Sequence, residues 1–290
     1  MRILLFGKNG QLGWELQRTL APLGAITALD FEDLDLRDPS LLRRRLQDLR
    51  PEVVVNAAAY TNVDGAESNR DAAFAINAAA PQIMAQETRG MDAALIHYST
   101  DYVFDGTKGT PYVEDDDPHP VNVYGESKLA GEQAVQAMGG SFLIFRTAWL
   151  YSMRGDNFVT KVLSWARKHE VLHIVDDQTA NPTWARTLAQ LTAHVLVQGA
   201  DCVSDHRGLY HLAGDGYASR YDWAQEILKL DPKPEEQMAH EIRRAKTSDI
   251  PTPARRPTFS ALDCGLCTRI FGLTAPAWAL ELKLALMDSA

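Results

Sequence analysis

Tyr124 and Lys128 stand four residues apart in Tyr124-Gly-Glu-Ser-Lys128, the separation at which two side chains share one face of an α-helix. A phenol with a pKa of about 10 is a poor proton shuttle at neutral pH. A neighbouring ammonium and a bound cationic nicotinamide would stabilise the phenolate and bring Tyr124 into range as a general acid. The same lysine can donate to the nicotinamide ribose hydroxyls. Upstream, the apolar run Leu95–Tyr98 ends in Ser99-Thr100-Asp101-Tyr102, where the Thr100 hydroxyl can bind a substrate carbonyl and share the charge that develops on it. A Tyr/Lys pair alone flanks many helix starts, so its meaning depends on its company.

That company is a glycine loop. The run Ile3 to Phe6 enters Gly7-Lys-Asn-Gly10-Gln-Leu-Gly13 and a helical pattern begins near Gln11. Glycines at 7, 10 and 13 permit a tight turn, close approach of backbone to a pyrophosphate and close packing of helix on strand, while the helix N-terminus attracts the phosphates. The spacing is GxxGxxG rather than GxGxxG, so the strand before and the helix after carry the argument. Asp30 ends the second apolar run, about 20 residues on. Its carboxylate would bond the adenosine ribose diol and repel a 2′-phosphate, which favours NADH. Arg37 or a nearby lysine offsets that repulsion, so the choice between NADH and NADPH stays open.

Such groups need a scaffold that collects strand ends. Apolar runs Arg2–Phe6, Ala25–Leu29, Val53–Val55, Ala93–Tyr98 and Phe142–Phe145 alternate with helical patterns at Gln11–Leu20, Pro39–Leu49, an alanine-rich stretch Ala66–Thr88 and Gly125–Met138. The alternation predicts an α/β fold, a Rossmann-type doubly wound parallel sheet with ligands at the C-terminal edge of its strands. Residues 1–150 form the expected dinucleotide domain. Residues 151–290 form a smaller, irregular substrate-binding region, with segments returning to the first domain from 170–215. Helices are expected at Asn157–Lys168, Thr183–Val197 and Ala275–Met287, and strands at Val171–Val175 and Leu209–Leu212. Asp105–Pro120, rich in Gly, Pro and carboxylates, is read as a surface loop and candidate lid, its acidic run Glu114–Asp117 as a solvated face.

Composition narrows the partners. Among 290 residues, 29 Lys and Arg against 38 Asp and Glu leave a net charge of −9, with 46% hydrophobic residues. That is a soluble globular chain, and its acidity argues against a general nucleic-acid binder. No apolar run approaches the roughly 18 residues of a membrane span, and the first is too short for a signal-peptide core, so a cytoplasmic protein is expected. Cys202, Cys264 and Cys267 suggest no disulfide framework, and the lone Cys264-Gly-Leu-Cys267 is read as two structural thiols.

With these motifs the chain resembles the extended short-chain dehydrogenase/reductase family, through GKNGQLG, Asn56-Ala-Ala-Ala59, STDYVFDG from Ser99 and YGESK from Tyr124. Two later stretches, FRTAWLY and PTPARRP, direct the resemblance to its nucleotide-sugar reductases. It implies hydride transfer from NADPH or NADH to C4 of dTDP-4-dehydro-L-rhamnose, with Tyr124 protonating the alkoxide and Lys128 supporting it. By position in the matching motifs the cofactor would meet Gly10, Gln11, Leu12, Asp30, Asp35, Leu36, Ala59, Tyr60, Thr61 and Tyr98. Thr100, Asp101 and Trp149 would meet the sugar, the indole stacking on the hexose. Arg255-Arg256, held between Pro253 and Pro257, is a candidate diphosphate clamp, with Arg256 its chosen member. Asn157 and Gln178 are further candidates. Some members of the family dimerise through carboxylates around Mg2+. Here the cationic Arg186 stands where an acidic ligand is expected, so no metal site and a monomer or weak homodimer are the expectation. Two other readings compete: another nucleotide-sugar 4-ketoreductase or epimerase, and a non-catalytic dinucleotide-binding subunit of the methionine adenosyltransferase type. The intact Thr100, Tyr124 and Lys128 favour catalysis.

Overall fold

The computed structural model describes residues 1–288. Its first half runs β1 (Arg2–Phe6), α1 (Gln11–Leu20), β2 (Ala25–Leu29), α2 (Pro39–Leu49), β3 (Val53–Asn56), α3 (Val63–Ser68), α4 (Arg70–Phe74), α5 (Ala80–Gly90), β4 (Ala94–Thr100), α6 (Val123–Met138) and β5 (Ser141–Thr147). The strands are short β-branched and apolar runs whose residues are buried on both faces, as in Val53, Val54 and Val55, because helices cover both sides of a parallel sheet. Strand Gly208–His211 extends the sheet beyond β5, and the order from that edge is Gly208–His211, β5, β4, β3, β1, β2. All five pairings are parallel, with Phe6 beside Asn56 and Thr100 beside Thr147. The chain builds outward from β1 to β2, then returns to place β3 on the other side of β1. The crevice outside the C-terminal ends of β1 and β3 is therefore the topological switch point, where open α/β sheets bind ligands.

Two further helices follow, α7 (Phe158–Ala166) and α8 (Ala185–Val197). One face of the sheet packs Leu5, Val55, Ile96 and Phe145 against Leu12 and Leu16 of α1 and Leu188 and Val195 of α8. The other packs Leu4, Val54, Leu95 and Ile144 against Leu42 and Leu46 of α2 and Ile83 and Met84 of α5. Both α8 and strand Gly208–His211 lie inside the expected returning segment. Helix Gly265–Phe271 joins the same core through Cys267 and Phe271, a return the sequence did not show. A separate core gathers Val162, Trp223, Ile227 and Leu282 from α7, helix Arg220–Lys229 and helix Trp278–Met287, with Tyr151 and Trp184 from the paired short strands Leu150–Tyr151 and Thr183–Trp184. There strand Val171–Val175 pairs in parallel with Glu241–Ala245.

Two expectations need correction and a third is filled out. The stretch Ala66–Thr88 is not one helix: α3 and α4 are separated at Asn69, and a π-helical turn, Ala75–Ala79, precedes α5. Asn77 in that turn explains the irregularity, because its amide accepts from the Tyr60 N–H at 2.8 Å and donates to the Ser127 hydroxyl at 2.9 Å. Secondly, the Asp105–Pro120 segment is a loop as read, and contacts at its start anchor it. Tyr112 stacks on Phe104 with ring centroids 4.0 Å apart, and its hydroxyl donates to Asp105. Thirdly, Glu114 in its acidic run is no solvated carboxylate; it accepts the His211 N–H at 2.8 Å, and Asp116 pairs with Lys108. Burial pushes both the Cys264 and Cys267 thiols up to about 12, as fits thiols with a packing role.

Candidate active site

At the switch point Gly7 takes φ +86°, a left-handed conformation open to glycine without strain. A Cβ on Gly13 would lie 1.9 Å from the Gly7 carbonyl oxygen, so α1 can seat on the loop only without a side chain there. Gly10 is the N-cap of α1 and supplies no side-chain cap. The first-turn N–H groups of α1 thus lack a side-chain acceptor, the donor set that a pyrophosphate would satisfy. Asp30 accepts the Asn9 N–H at 2.8 Å and so holds the loop in place as well as facing the crevice.

A cavity of about 570 Å³ runs from this loop across the strand ends, lined by Gly7, Gly10, Gln11, Leu12, Asp30, Ala59 and Thr61 at one end and by Thr100, Asp101, Tyr102, Tyr124, Lys128, Trp149 and Arg220 at the other. A smaller recess of about 120 Å³ adjoins it, lined by Asp30, Asp35, Leu36, Ala58 and Ala59. Its apolar walls and terminal carboxylate suit an adenosine, so the residues present fit a dinucleotide laid along β1 and β3.

The proton-handling groups sit where β4 meets α6. Asn122 caps α6 by accepting the Gly125 N–H, and its amide donates to the Arg255 carbonyl at 2.7 Å, which ties the helix start to a distant segment. From that start Tyr124, Lys128 and Glu132 descend at intervals of four towards the sheet. Lys128 Nζ donates to the Tyr98 carbonyl at 2.5 Å. Burial lowers its pKa to about 8, opposed by the Glu132 carboxylate. Glu132 is itself held by Arg146, 2.7 Å away, in a buried ion pair. Burial drives the pKa of the Tyr124 phenol upward, while its bond to Thr100 works the other way. Thr100 donates to Asp101 Oδ1 at 3.1 Å and accepts the Tyr102 N–H at 3.1 Å. Asp101, whose other oxygen takes the Ser260 hydroxyl at 2.5 Å, is raised by burial from 3.8 to about 6.

The remaining expected residues divide. Tyr98 lines the cavity, but its hydroxyl is turned into the core onto Thr192, so its carbonyl is what serves Lys128. Tyr60 is placed through its backbone by Asn77. Trp149 lines the cavity with φ +40°, a strained conformation for a bulky side chain, and stacks on Trp223 at 5.5 Å. Asn157 is the N-cap of α7, and its amide donates to the Ser152 carbonyl and to Gln11. It therefore supports Gln11 from behind, outside the cavity lining. Arg256 forms a two-pronged ion pair with Asp64, at 2.6 and 2.7 Å. Gln178 donates to Thr247. Arg186 lies between Glu15 and Asp288 and bonds both; among the described residues no group of three or more His, Cys, Asp or Glu is placed to hold a metal ion.

Among the cavity residues that the sequence reading gave no role are Thr147 and Arg220. Thr147 ends β5 beside Thr100, and its buried hydroxyl has no partner; the rule that singled out Thr100, a hydroxyl at a strand end, would have found it. Arg220 opens helix Arg220–Lys229 and reaches the cavity only through tertiary packing, so no local signal marks it.

Cofactor cradle and proton donor thus meet at the C-terminal edge of one sheet, the arrangement of the short-chain dehydrogenase/reductase class. Within that class the chain belongs to the family described as RmlD substrate binding domain, whose model matches residues 1–290. It is 43% identical to a dTDP-4-dehydrorhamnose reductase from Burkholderia thailandensis, covering 99% of both chains. It is 42% identical to the enzyme of that name from Escherichia coli K12, over 98% of this chain and 96% of the other. Among solved structures, a dTDP-4-dehydrorhamnose reductase from Clostridium acetobutylicum superposes with a TM-score of 0.92 at 33% identity, over 100% and 99% of the two chains. One from Bacillus anthracis, in complex with NADP, gives 0.90 at 32% identity over 99% of each.

Proposed function

We propose that this chain reduces the C4 ketone of dTDP-4-dehydro-L-rhamnose to dTDP-L-rhamnose, with NADH or NADPH as hydride donor. The observation that carries the chemistry is the place of the Tyr124 phenol, beside Thr100 and Lys128 in the cavity that begins at the glycine loop. A ketone reduction needs a proton at the oxygen as hydride arrives at carbon, so a neutral phenol is the competent form. The bound reduced nicotinamide supplies the hydride. Gly10, Gln11 and Leu12 seat the pyrophosphate on α1, and Asp30, Asp35, Leu36, Ala59 and Thr61 border the rest of the dinucleotide. Tyr124 donates to the substrate carbonyl oxygen, joined by Thr100 once its hydroxyl turns from Asp101 Oδ1 to the substrate, which polarises the carbonyl and places the proton on the nascent alkoxide. Lys128, buried and cationic, favours the tyrosinate left behind and offers N–H donors to the ribose. Trp149 provides the flat apolar wall for the hexose. The protein is expected in the cytoplasm.

Consumption of NADH, followed optically with dTDP-4-dehydro-L-rhamnose and stoichiometric with a dTDP-L-rhamnose product, tests the proposal. Tight dinucleotide binding without sugar-dependent oxidation would instead identify a regulatory module.

A further inference from the structure

Among the described residues, Arg220 is the one cavity-lining cation that the reduction just described leaves without a task. Its guanidinium lies 3.6 Å over the Trp149 ring and 4.6 Å from the Phe158 ring, with Trp223 behind at 5.4 Å. That aromatic wall encloses the charge, and burial lowers its pKa to about 10, so it stays cationic at neutral pH. Among the described residues no carboxylate makes an ion pair with it. Asp101 is near, but its two oxygens are engaged by Thr100 and Ser260. The polar neighbour is the Tyr102 hydroxyl, which lies between Arg220 and Arg256.

The two arginines differ in what they have left to give. Arg256 donates both terminal nitrogens to Asp64, and one of them also to Thr252 and the Ala254 carbonyl. Arg220 has its face on an indole, which fixes the plane of the guanidinium; one edge bonds the Tyr102 hydroxyl, and the remaining N–H groups are left for a planar or tetrahedral anion. It also stands at the first position of its helix, just after the Ser219 N-cap. A cation is disfavoured there by the helix dipole, whereas an anion beside it is attracted by both. An enclosed cation without a paired anion is a liability in the free protein, which a ligand's negative charge would remove.

We propose that Arg220 is the residue that binds the diphosphate of the nucleotide sugar, with Trp149 as its platform and Tyr102 as a second donor, and that Arg256 holds the segment around it instead of touching the phosphates. The inference rests on the nucleotide-sugar reading above and assigns it a specificity-determining residue.

Titration of the NADH-loaded protein with dTDP and, separately, with thymidine tests it, in the parent and in Arg220→Met. Loss of a charge-assisted contact should weaken dTDP about 10- to 100-fold, leave thymidine and NADH affinities unchanged, and raise KM for the dTDP-sugar far more than it lowers kcat. Parent-like dTDP affinity in Arg220→Met, or equal losses for dTDP and thymidine, overturns the assignment; the second result would make Arg220 a packing residue. Should Arg220→Met lose NADH binding, and so its fold, Arg220→Gln decides by the same criteria. A parent that turns over the dTDP-sugar beside an unaffected Arg220→Met sinks this inference alone. A parent that neither binds dTDP nor reduces the sugar sinks the reading beneath it.

Discussion

The two ends of the cavity are built by different means. At the dinucleotide end the groups that matter are backbone N–H donors, glycines and strand termini, drawn from β1, α1, β2 and β3 within the first sixty residues. At the substrate end they are side chains joined over long separations. Ser260 donates to Asp101, Arg256 pairs with Asp64, the Asn122 amide reaches the Arg255 carbonyl, and Arg220 stacks on Trp149. A shape required of the backbone is written locally in residue types, whereas a surface assembled from side chains depends on the finished fold. One end can therefore be general for a dinucleotide and the other particular to a sugar.

Predictions that would break or sharpen this contrast run from the largest effect down. Tyr124→Phe removes the proton donor where the two ends meet; kcat should fall about 10²- to 10⁴-fold with NADH affinity unchanged by titration. Asp101→Asn probes the substrate end through pH. Because the folded carboxyl titrates near 6 rather than 3.8, the folded state holds its proton more tightly than the unfolded chain. Its contribution to stability is therefore present below about pH 4, declines as pH rises to about 6 and is absent above, a change on the order of 3 kcal/mol. Thermal unfolding across that window should show a smaller decline in Asp101→Asn than in the parent; equal slopes would deny the shift. Gly13→Ala attacks the dinucleotide end, where its Cβ meets the Gly7 carbonyl. Unfolding should show a loss of about 1–3 kcal/mol together with weaker NADH binding, while a parent-like affinity would show that the loop tolerates displacement. Smallest is Asp30→Ser. Around the adenosine recess Lys8 is paired with Asp33 and Arg37 with Asp35, so Asp30 and Glu32 leave this corner net negative. NADPH affinity relative to NADH should rise about tenfold when the Asp30 carboxylate goes.

Legibility in the sequence followed the same division. The bounds of β1, α1, β2 and α2 are those expected from the alternation of apolar runs and helical patterns. Tyr124, Lys128 and Thr100 were recognisable because a helical interval and a strand end are local properties. The π-helical turn at Ala75–Ala79 was hidden by a run of alanines, since what bends it is Asn77 reaching Tyr60 and Ser127. Arg220 gave no sign of itself, because nothing within its own helix shows that Trp149 and Phe158 will enclose it. The upward shift of Tyr124 was likewise invisible, as desolvation is a property of the packed site. Arg256 stood out as a cation between prolines, but its counter-ion Asp64 lies far back in the chain.

The ties between Asp64 and Arg256, Asp101 and Ser260, and Asn122 and Arg255 also bear on the order in which the molecule matures. Contacts so distant along the chain carry a large loop-closure entropy and form late. During synthesis from the N-terminus, the sheet that cradles the dinucleotide can assemble from β1 to β5 while residues 251–264 are still in the ribosome. The dinucleotide end thus draws its contacts from chain that is made early, whereas the sugar end closes only when residues 251–264 arrive.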